Sequence, residues 1–410
     1  MNMMRLTFFA FCCCLFTTAW SQTTTGLSAY YTFEGNLEDQ MGNTSNTGIE
    51  VGTPTYGCGV RGQGLLLDGA NDQFRVSANS PAAGEFDTED FTVSFYFKSV
   101  GFDGIQYLFS KRDTGCMSDR QFYVRYTPQA NTLNTFLAQD ADKDVNLFNL
   151  TSVTDCWQHL VVVRDDLRVR LYLNGDEVED RGGTASRIDL STEGDLYIGG
   201  ADCIGGLETP FAGLIDEVRI YNRVLRDEEI AELFFRPDQI ITNDTIVFQG
   251  SIVDLEVNND CAVSNFNWIP NDNLSPTDSG MPSIEADDTG VFRYFVQVSD
   301  PVSSCIAVDS FRLTVIDPNT LPCQVAMAKA FTPNFDSLND TYGLSNPFAI
   351  QDMVSFEIFD RWGGRVFATA DPFAKWDATF QGEAVNPGIF LWRVIYRCDG
   401  EEKNDSGTVT

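Results

Sequence analysis

The chain has 410 residues, of which 27 are Lys or Arg and 59 are Asp or Glu, giving a net charge of −32. Nucleic acids and anionic membranes attract basic surfaces, so this composition argues against both as partners. Acidic side chains also supply the oxygen ligands that Ca²⁺ prefers. A chain of this length is expected to form two to four domains.

The first residues have the pattern of an export signal. Arg5 carries a positive charge, residues 6–18 are apolar, and Ala19-Trp20-Ser21 offers small residues for cleavage. We predict a signal peptide over residues 1–21 and no later transmembrane segment, because no run is long and apolar enough. Lipidation at Cys12, Cys13 or Cys14 is disfavoured, since the apolar run continues past them.

Short alternating runs rich in Val, Phe, Tyr and Thr follow, separated by Gly, Asn and Asp turns. They predict antiparallel strands at 91–97, 122–126, 160–163, 169–173 and 196–198. Asn174-Gly175 predicts a tight hairpin turn, because both positions tolerate positive φ. One helix is predicted over 226–235, where acidic residues open the pattern and Pro237 closes it.

The second half continues the strand pattern. Strands are predicted at 245–248, 252–257, 265–268, 291–298 and 310–315, and then at 325–331, 354–359, 365–369, 389–396 and 407–410. Pro237-Asp238 and residues 317–319 mark two boundaries. The sequence therefore predicts an all-β fold with domains at 26–236, 238–318 and 321–410.

An even number of cysteines remains after the predicted signal: Cys58, Cys116, Cys156, Cys203, Cys261, Cys305, Cys323 and Cys398. In an exported chain this predicts disulfides, and the absence of any CxxC argues against zinc. Cys116 has Cys156 or Cys203 as its expected partner, and the sequence does not choose between them.

Spaced phrases in the first domain resemble the bacterial laminin-G-like family of concanavalin A-like jellyrolls. They include LLDGAND at 66–72, WQHLVVV at 157–163, LYLNG at 171–175 and FAGLIDEVRIYNRVL at 211–225. The resemblance implies a jellyroll sandwich. It does not imply one function, because this fold hosts lectins, adhesins, spacers and glycosidases.

The same resemblance points to a structural Ca²⁺ site. It singles out Asp216, in the Ile-Asp-Glu phrase, with Asp39 in the turn 34–43 as the second ligand. Carboxylates in irregular turns are typical Ca²⁺ ligands. The alternative is that Asp216 only hydrogen-bonds a loop.

Catalytic residues are hard to find in this sequence. Glucanases of this fold carry E-x-D-x-x-E on one strand, whereas the nearest match, 85–90 (EFDTED), ends in Asp and precedes the strand. The single histidine, His159, is expected to pack at a strand end. Trp157 and the Tyr30/Tyr31 pair are expected in the core, so the candidate sugar-binding aromatics are Tyr107, Tyr123 and Tyr126. We predict that the chain is not an enzyme.

The middle domain is similar to immunoglobulin-like and polycystic-kidney-disease-like sandwiches. Cys261, Trp268, DTGVF at 288–292 and Cys305 carry the similarity. It implies a spacer domain and a Cys261–Cys305 bridge. Cys305 follows Asp300-Pro301 in a loop, which favours the spacer type over a true immunoglobulin domain.

The last domain resembles the gliding-motility-associated C-terminal domain of Bacteroidetes, the type B sorting domain for type IX secretion. The resemblance rests on AFTPNFDSLND at 330–340, FEIFDRWG at 356–363 and GTVT at 407–410. It implies export to the outer surface through the periplasm, with the type IX machinery as partner. Cys323 and Cys398 flank the domain and are expected to pair. Asp336, Asn339 and Asp340 form an oxygen-rich loop, for which turn capping is favoured over calcium.

These features favour a secreted or cell-surface adhesion or glycan-binding protein, with a glycan or surface protein as ligand. Two alternatives stay open at this stage. One is a secreted glycoside hydrolase of the concanavalin A-like class. The other is a structural surface protein without a ligand.

Overall fold

The structure, a computed structural model, describes residues 24–410 except 88, 102, 115–118, 151–155, 184–185, 318–319, 334–338, 351 and 399. The predicted signal peptide, Cys116 and Asp336 lie outside the described residues. The chain divides into two compact units. The first contains the chain up to Gln239 together with Asn258–Asn265 and Val298–Ala307, and the second contains Ile240–Val257, Phe266–Gln297 and Val308–Thr410.

The first unit is built almost entirely of strands, as the alternating pattern predicts. The described strands are β1 (Leu27–Tyr31), β2 (Ile49–Val51), β3 (Thr55–Cys58), β4 (Gln63–Asp68), β5 (Gln73–Val76), β6 (Phe91–Ser99), β7 (Ile105–Arg112), β8 (Gln121–Thr127), β9 (Thr132–Asp140), β10 (Lys143–Leu150), β11 (Gln158–Asp165), β12 (Arg168–Leu173), β13 (Asp176–Gly182), β14 (Leu196–Ile198), β15 (Glu208–Pro210) and β16 (Ala212–Tyr221). Among the described residues two α-helices accompany them, α1 (Pro81–Gly84) and α2 (Asp227–Leu233), with short 3₁₀ helices at Thr44–Asn46 and Pro128–Ala130.

These strands form two sheets that face each other across one core. Sheet A has the order β13-β12-β11-β6-β16-β4-β3, with β1 also paired to β16. Sheet B has the order β10-β9-β8-β7-β14-β5-β2, with β15 also paired to β7. The core between them contains tightly packed phenylalanines, such as Phe86, Phe91, Phe109 and Phe122. The predicted all-β sandwich is confirmed.

Local turn and helix signals also have the expected effect. Asn174 and Gly175 adopt φ of 54° and 88°, as the hairpin requires. Helix α2 is shorter than the predicted 226–235. At its start the Glu229 carboxylate accepts a hydrogen bond from the Arg226 backbone N–H at 3.0 Å, which satisfies one of the free donors of the first turn.

The second unit carries the remaining strands in smaller sheets. They are β17 (Thr245–Phe248), β18 (Ile252–Asp254), β19 (Asn265–Ile269), β20 (Leu274–Ser275), β21 (Ser283–Glu285), β22 (Gly290–Ser299), β23 (Ile306–Ile316), β24 (Asp352–Phe359), β25 (Arg365–Thr369), β26 (Thr379–Phe380), β27 (Glu383–Ala384), β28 (Phe390–Cys398) and β29 (Glu401–Val409). The sheet orders are β17-β23-β22-β19, β18-β21-β20, β25-β24-β28-β29 and β26-β27.

One expected strand of this half differs from the structure. The predicted strand at 325–331 is absent among the described residues, where Met327 forms only an isolated bridge to Leu344. The middle strands and the last domain fall in one compact unit, while two middle loops, Asn258–Asn265 and Val298–Ala307, belong to the first. The division into three domains stays a prediction.

The disulfides explain why those loops belong to the first unit. Cys261 bonds to Cys58 and Cys305 bonds to Cys156. The expected Cys261–Cys305 bridge is therefore wrong, because each loop is tied to the first domain and not to the other loop. Cys156, one of the two expected partners of Cys116, is therefore bonded elsewhere, and Cys203 is disulfide-bonded too. Cys323 bonds to Cys398, the pairing that the resemblance implies.

Candidate functional site: the outer face of sheet B

Strands β7 to β10 separate apolar and polar side chains onto the two sides of sheet B. The side that faces the core carries Phe122, Val124, Leu133 and Leu147. Because side chains alternate along a strand, the residues between them point outward. They align across the four strands in what we call the outer rows: Tyr107–Arg125–Asn134–Phe148 and Ser110–Tyr123–Phe136–Asn146.

Arg125 holds the centre of the outer rows. Its guanidinium donates to Glu208 Oε1 at 2.8 Å, to the Tyr123 hydroxyl at 2.9 Å and to Asn134 Oδ1 at 2.9 Å. The guanidinium carbon also lies 4.1 Å from the centre of the Tyr123 ring. Three hydrogen bonds and a cation–π contact fix this side chain in one orientation.

Tyr107 extends the network towards β15. Its hydroxyl donates to Glu208 Oε1 at 3.1 Å and accepts from Arg112 Nη1 at 3.0 Å. Burial raises the pKa of Tyr107 to about 12, so the phenol remains a neutral donor at physiological pH. Arg112 also donates to the Cys203 carbonyl at 3.0 Å, which ties the loop after β14 to the sheet.

That loop covers one half of the outer rows and leaves the other half open. Tyr107 and Tyr123 are only 1% and 8% exposed, because Ala201 and Ile204 pack on them. Phe148, on the edge strand β10, is 54% exposed. The accessible part of the face therefore lies on β9 and β10.

Two asparagine amides stand between the rings of the open half. Asn134 Nδ2 donates to Asn146 Oδ1 at 2.5 Å and to the Leu147 carbonyl at 3.1 Å. Asn146 is exposed and Phe136 is half-buried. Sugar rings have apolar C–H faces and hydroxyl edges, so an exposed aromatic ring beside fixed amides and a guanidinium matches both parts.

The aromatics proposed from the sequence do not form the open surface. Tyr126 faces the core, and its hydroxyl donates to Asn131 at 3.1 Å. Tyr107 and Tyr123 lie on the correct face but under the covering loop. Sequence reasoning missed Phe136 and Phe148. The alternation along β9 and β10 would have found them, since Asn134, Phe136, Asn146 and Phe148 occupy alternate positions.

In the acidic segment 85–90, the described residues 85–87 and 89–90 lie outside any strand. Glu85 follows α1, and Asp90 accepts the Asp166 backbone N–H at 2.8 Å and forms an ion pair with Arg187 at 3.0 Å. These contacts hold a turn next to β6. The prediction that the chain is not an enzyme is untested by them and stays a prediction.

His159 lies inside the protein, as expected from its place before an apolar strand. Its Nε2 lies 2.8 Å from the Ser94 hydroxyl, and its ring stacks on Tyr96 with centroids 4.5 Å apart. Burial, with a smaller effect from Arg219, lowers the pKa of His159 to about 3. The imidazole is neutral and packs between aromatic rings, among them Phe234.

The carboxylates of Asp216 and Asp39 each accept hydrogen bonds from backbone N–H groups of nearby loops. Asp216 Oδ2 accepts from Val60 at 2.7 Å and from Arg61 at 3.3 Å, and its Oδ1 accepts from Glu217 N at 2.7 Å. Asp39 Oδ1 accepts from the Tyr30 and Met41 backbones, both at 3.0 Å. Hydrogen-bond donors point at the oxygens that a cation would need.

In the structure these hydrogen bonds brace the loops around the two carboxylates. Burial and then the charge of Glu217 raise the pKa of Asp216, while the three N–H groups oppose that rise. Among the described residues, no group of three or more His, Cys, Asp or Glu side chains is arranged to hold a metal ion. Structural calcium at Asp216 and Asp39 stays a prediction.

Comparison with known proteins agrees with this architecture. Residues 68–231 match the family model of the concanavalin A-like lectin/glucanases superfamily, and residues 325–410 match that of the CHU_C type IX secretion signal domain. The chain joins a concanavalin A-like domain to a type IX secretion signal domain. The signal domain indicates export, to the cell surface or the medium. No curated protein matches the chain.

Several solved structures are similar to part of this chain. Domain 4 of the arabinanase AbnA from Geobacillus stearothermophilus is 21% identical, covering 51% of this chain and 98% of its own, with a TM-score of 0.42. The CBM40 of the Ruminococcus gnavus IT-sialidase is 21% identical, covering 42% and 96%, with a TM-score of 0.38. Trypanosoma rangeli sialidase is 19% identical, covering 52% and 33%, with a TM-score of 0.42.

Among the described residues, no helix has the length and apolar character needed to cross a bilayer.

Proposed function

We propose that this exported chain is a non-catalytic glycan-binding protein that attaches to glycan-bearing surfaces through the open half of the outer rows. Phe148 and Phe136 contact the C–H faces of sugar rings. Asn134, Asn146 and Arg125 hydrogen-bond their hydroxyls. The type IX secretion machinery recognises the C-terminal domain, and the concanavalin A-like domain carries the binding function.

One observation carries this proposal: the outer face of sheet B presents an exposed ring beside prearranged polar groups. Arg125 is held by Glu208, Tyr123 and Asn134 before any ligand arrives. Preorganised groups lose little conformational entropy on binding, so they are suited to recognition. Phe148 is 54% exposed, so its ring is accessible to a ligand.

A glycan array probed with the purified protein tests the binding. We expect binding to at least one polysaccharide or oligosaccharide class, with the Phe148→Ala/Asn146→Ala variant at least tenfold weaker. Ile252→Ala, at an exposed apolar residue of the middle sandwich, is the matched control and should bind normally. Equal binding by the double variant would refute the site.

Two further measurements test the absence of catalysis and the export role of the C-terminal domain. Reducing-sugar assays on the bound glycans should show no turnover, and turnover that is lost in Glu85→Gln would favour the glycosidase alternative. Deleting residues 325–410 should prevent appearance of the protein in the medium or at the cell surface, while the deleted form accumulates inside the envelope.

A further inference from the structure

A cavity lies at one end of the sandwich, away from the outer rows. Its volume is about 490 Å³, within the range of about 300–1,000 Å³ found for ligand pockets. We call it the rim cavity and define it by Asp87, Lys111, Asp113, Thr192 and Glu193. It lies where β7 ends and the segment before β14 begins. Arg112, the next residue on β7, points to the outer face instead, because neighbouring side chains on a strand alternate.

Lys111 is the unusual member of the rim cavity. It is only 2% exposed, and its Nζ donates to the carbonyls of Thr192 and Gly194, each at 3.2 Å. Among the described residues, no carboxylate lies within ion-pair distance of this nitrogen. An ammonium has three donor hydrogens, so one remains for an acceptor in the cavity. Burial lowers the pKa of Lys111, and the surrounding acidic groups, Asp87 first, oppose this.

The carboxylates of the cavity have acceptor capacity left. Asp113 Oδ1 accepts from the Thr192 hydroxyl at 3.2 Å and from the Thr114 backbone at 2.9 Å, which leaves Oδ2. The Asp87 carboxylate receives no hydrogen bond from the described residues. The cavity therefore presents one buried donor next to several acceptors.

This combination selects a chemical class of ligand. Arg120 also lines the cavity, but its guanidinium already donates to the Ser191 carbonyl at 3.3 Å and pairs with Asp189 at 3.7 Å. An anion would meet Asp87, Asp113 and Glu193. A metal cation would meet the buried ammonium of Lys111. A hydroxyl group both accepts and donates, so vicinal hydroxyls satisfy the ammonium and the carboxylates together. Ala78 and Ala83 supply an apolar wall for the C–H groups between those hydroxyls.

We propose that the rim cavity is a second binding site, which takes the end of a neutral glycan. Lys111 donates to one ring hydroxyl, and Asp87 and Asp113 accept from its neighbours. This site does not depend on the outer rows, since it uses a different end of β7 and a different set of side chains.

Saturation-transfer NMR on the purified protein tests the proposal. The probes are the methyl glycosides of glucose, galactose, mannose, xylose and arabinose, with glucuronate as the anionic comparison and CaCl₂ added as a competitor that should not reduce saturation transfer to the glycoside. We expect at least one neutral glycoside to bind, with Lys111→Met weakening it at least tenfold and Asp87→Asn at least threefold. Lys143→Met, at a lysine whose Nζ donates to Gln139 Oε1 at 2.9 Å, and Asp142→Asn, at an exposed turn, should have no effect.

Three results would overturn the proposal: no saturation transfer to any neutral glycoside, unchanged binding in both cavity variants, or Lys111-dependent binding of glucuronate alone. Circular dichroism checks that the variants fold. If Lys111→Met does not, Asp87→Asn with Glu193→Gln carries the test. Phe148→Ala should leave this binding intact, so failure of the outer-row site and failure of the rim cavity give different results.

Discussion

The outer faces of sheets A and B differ in how far other parts of the chain cover them. On sheet A, β6 points Thr92, Ser94, Tyr96 and Lys98 outward, and all four are buried. Helix α2, residues 234–235 and the loop Val298–Ala307 cover this face. On sheet B the outward residues of β9 and β10 remain accessible. One sandwich thus has a sealed face and an open face.

The two faces satisfy their polar groups in different ways. On sheet A the cover supplies the partners: the Tyr96 hydroxyl donates to carbonyls of Leu233 and Phe235, and Lys98 forms an ion pair with Asp300. On the open half of sheet B the outward residues bind one another, as Arg125 binds Asn134 and Asn134 binds Asn146. A face whose polar groups need a cover is structural. A face that satisfies itself is free to accept a ligand.

The largest effect on the free energy of unfolding is expected from replacing Lys98 of sheet A. Its ammonium pairs with Asp300 in the covering loop Val298–Ala307. Lys98→Met leaves the Asp300 carboxylate buried without its cation, since both side chains are nearly inaccessible. Breaking a buried ion pair costs about 3–5 kcal/mol. Denaturant unfolding should show this loss. The double variant Lys98→Met/Asp300→Asn should recover most of it, because it removes the unpaired charge and keeps an oxygen for the Val302 and Ser303 N–H groups. A loss below about 1 kcal/mol in the single variant would mean that the cover is not held here.

A pH effect of intermediate size is expected from His159 on the sealed face. Its folded pKa is about 3, against 6.5 when exposed. Between these values the unfolded chain binds a proton that the folded chain does not, so stability falls as pH drops below 6.5. From pH 7 to pH 5 the histidine should cost about 2 kcal/mol.

The difference between wild type and His159→Gln isolates this contribution. Asp216, whose pKa is raised by burial, acts with the opposite sign and cancels in the comparison. We expect the unfolding free energy of the variant to change less steeply with acidification over this interval. Equal slopes for the two proteins would show that the imidazole is protonated in the folded state.

A smaller loss is expected from Arg125 on the open face. Arg125→Lys keeps the charge but removes the planar fork that reaches Tyr123, Asn134 and Glu208 together. Because the side chain is partly exposed, the loss should be about 1–2 kcal/mol. Glycan binding should weaken along with it. Thermal unfolding and titration of an array-selected glycan measure the two effects, and a variant with native affinity would remove Arg125 from the site.

The sequence predicted the sandwich because its alternating strands and hairpin turns are local signals. It also predicted the core positions of His159 and Trp157. Prediction from the sequence failed for features that depend on contacts between residues far apart in the chain. The partners of Cys261 and Cys305 depend on which loops the first domain binds, and strand pattern alone does not show this. Exposure of Phe148 and burial of Tyr107 depend on a loop that covers part of a sheet.

The smallest stability effects are expected at the open edge of sheet B. Leu150 and Phe148 lie largely in solvent on β10, so Leu150→Thr and Phe148→Leu should each change the unfolding free energy by less than about 0.5 kcal/mol. Their effects on binding should differ, because only Phe148 lies in an outer row, beside Asn134. If Phe148→Leu destabilises the protein by more than about 1.5 kcal/mol, this ring packs as part of the structure, and the contrast between a sealed and an open face is wrong.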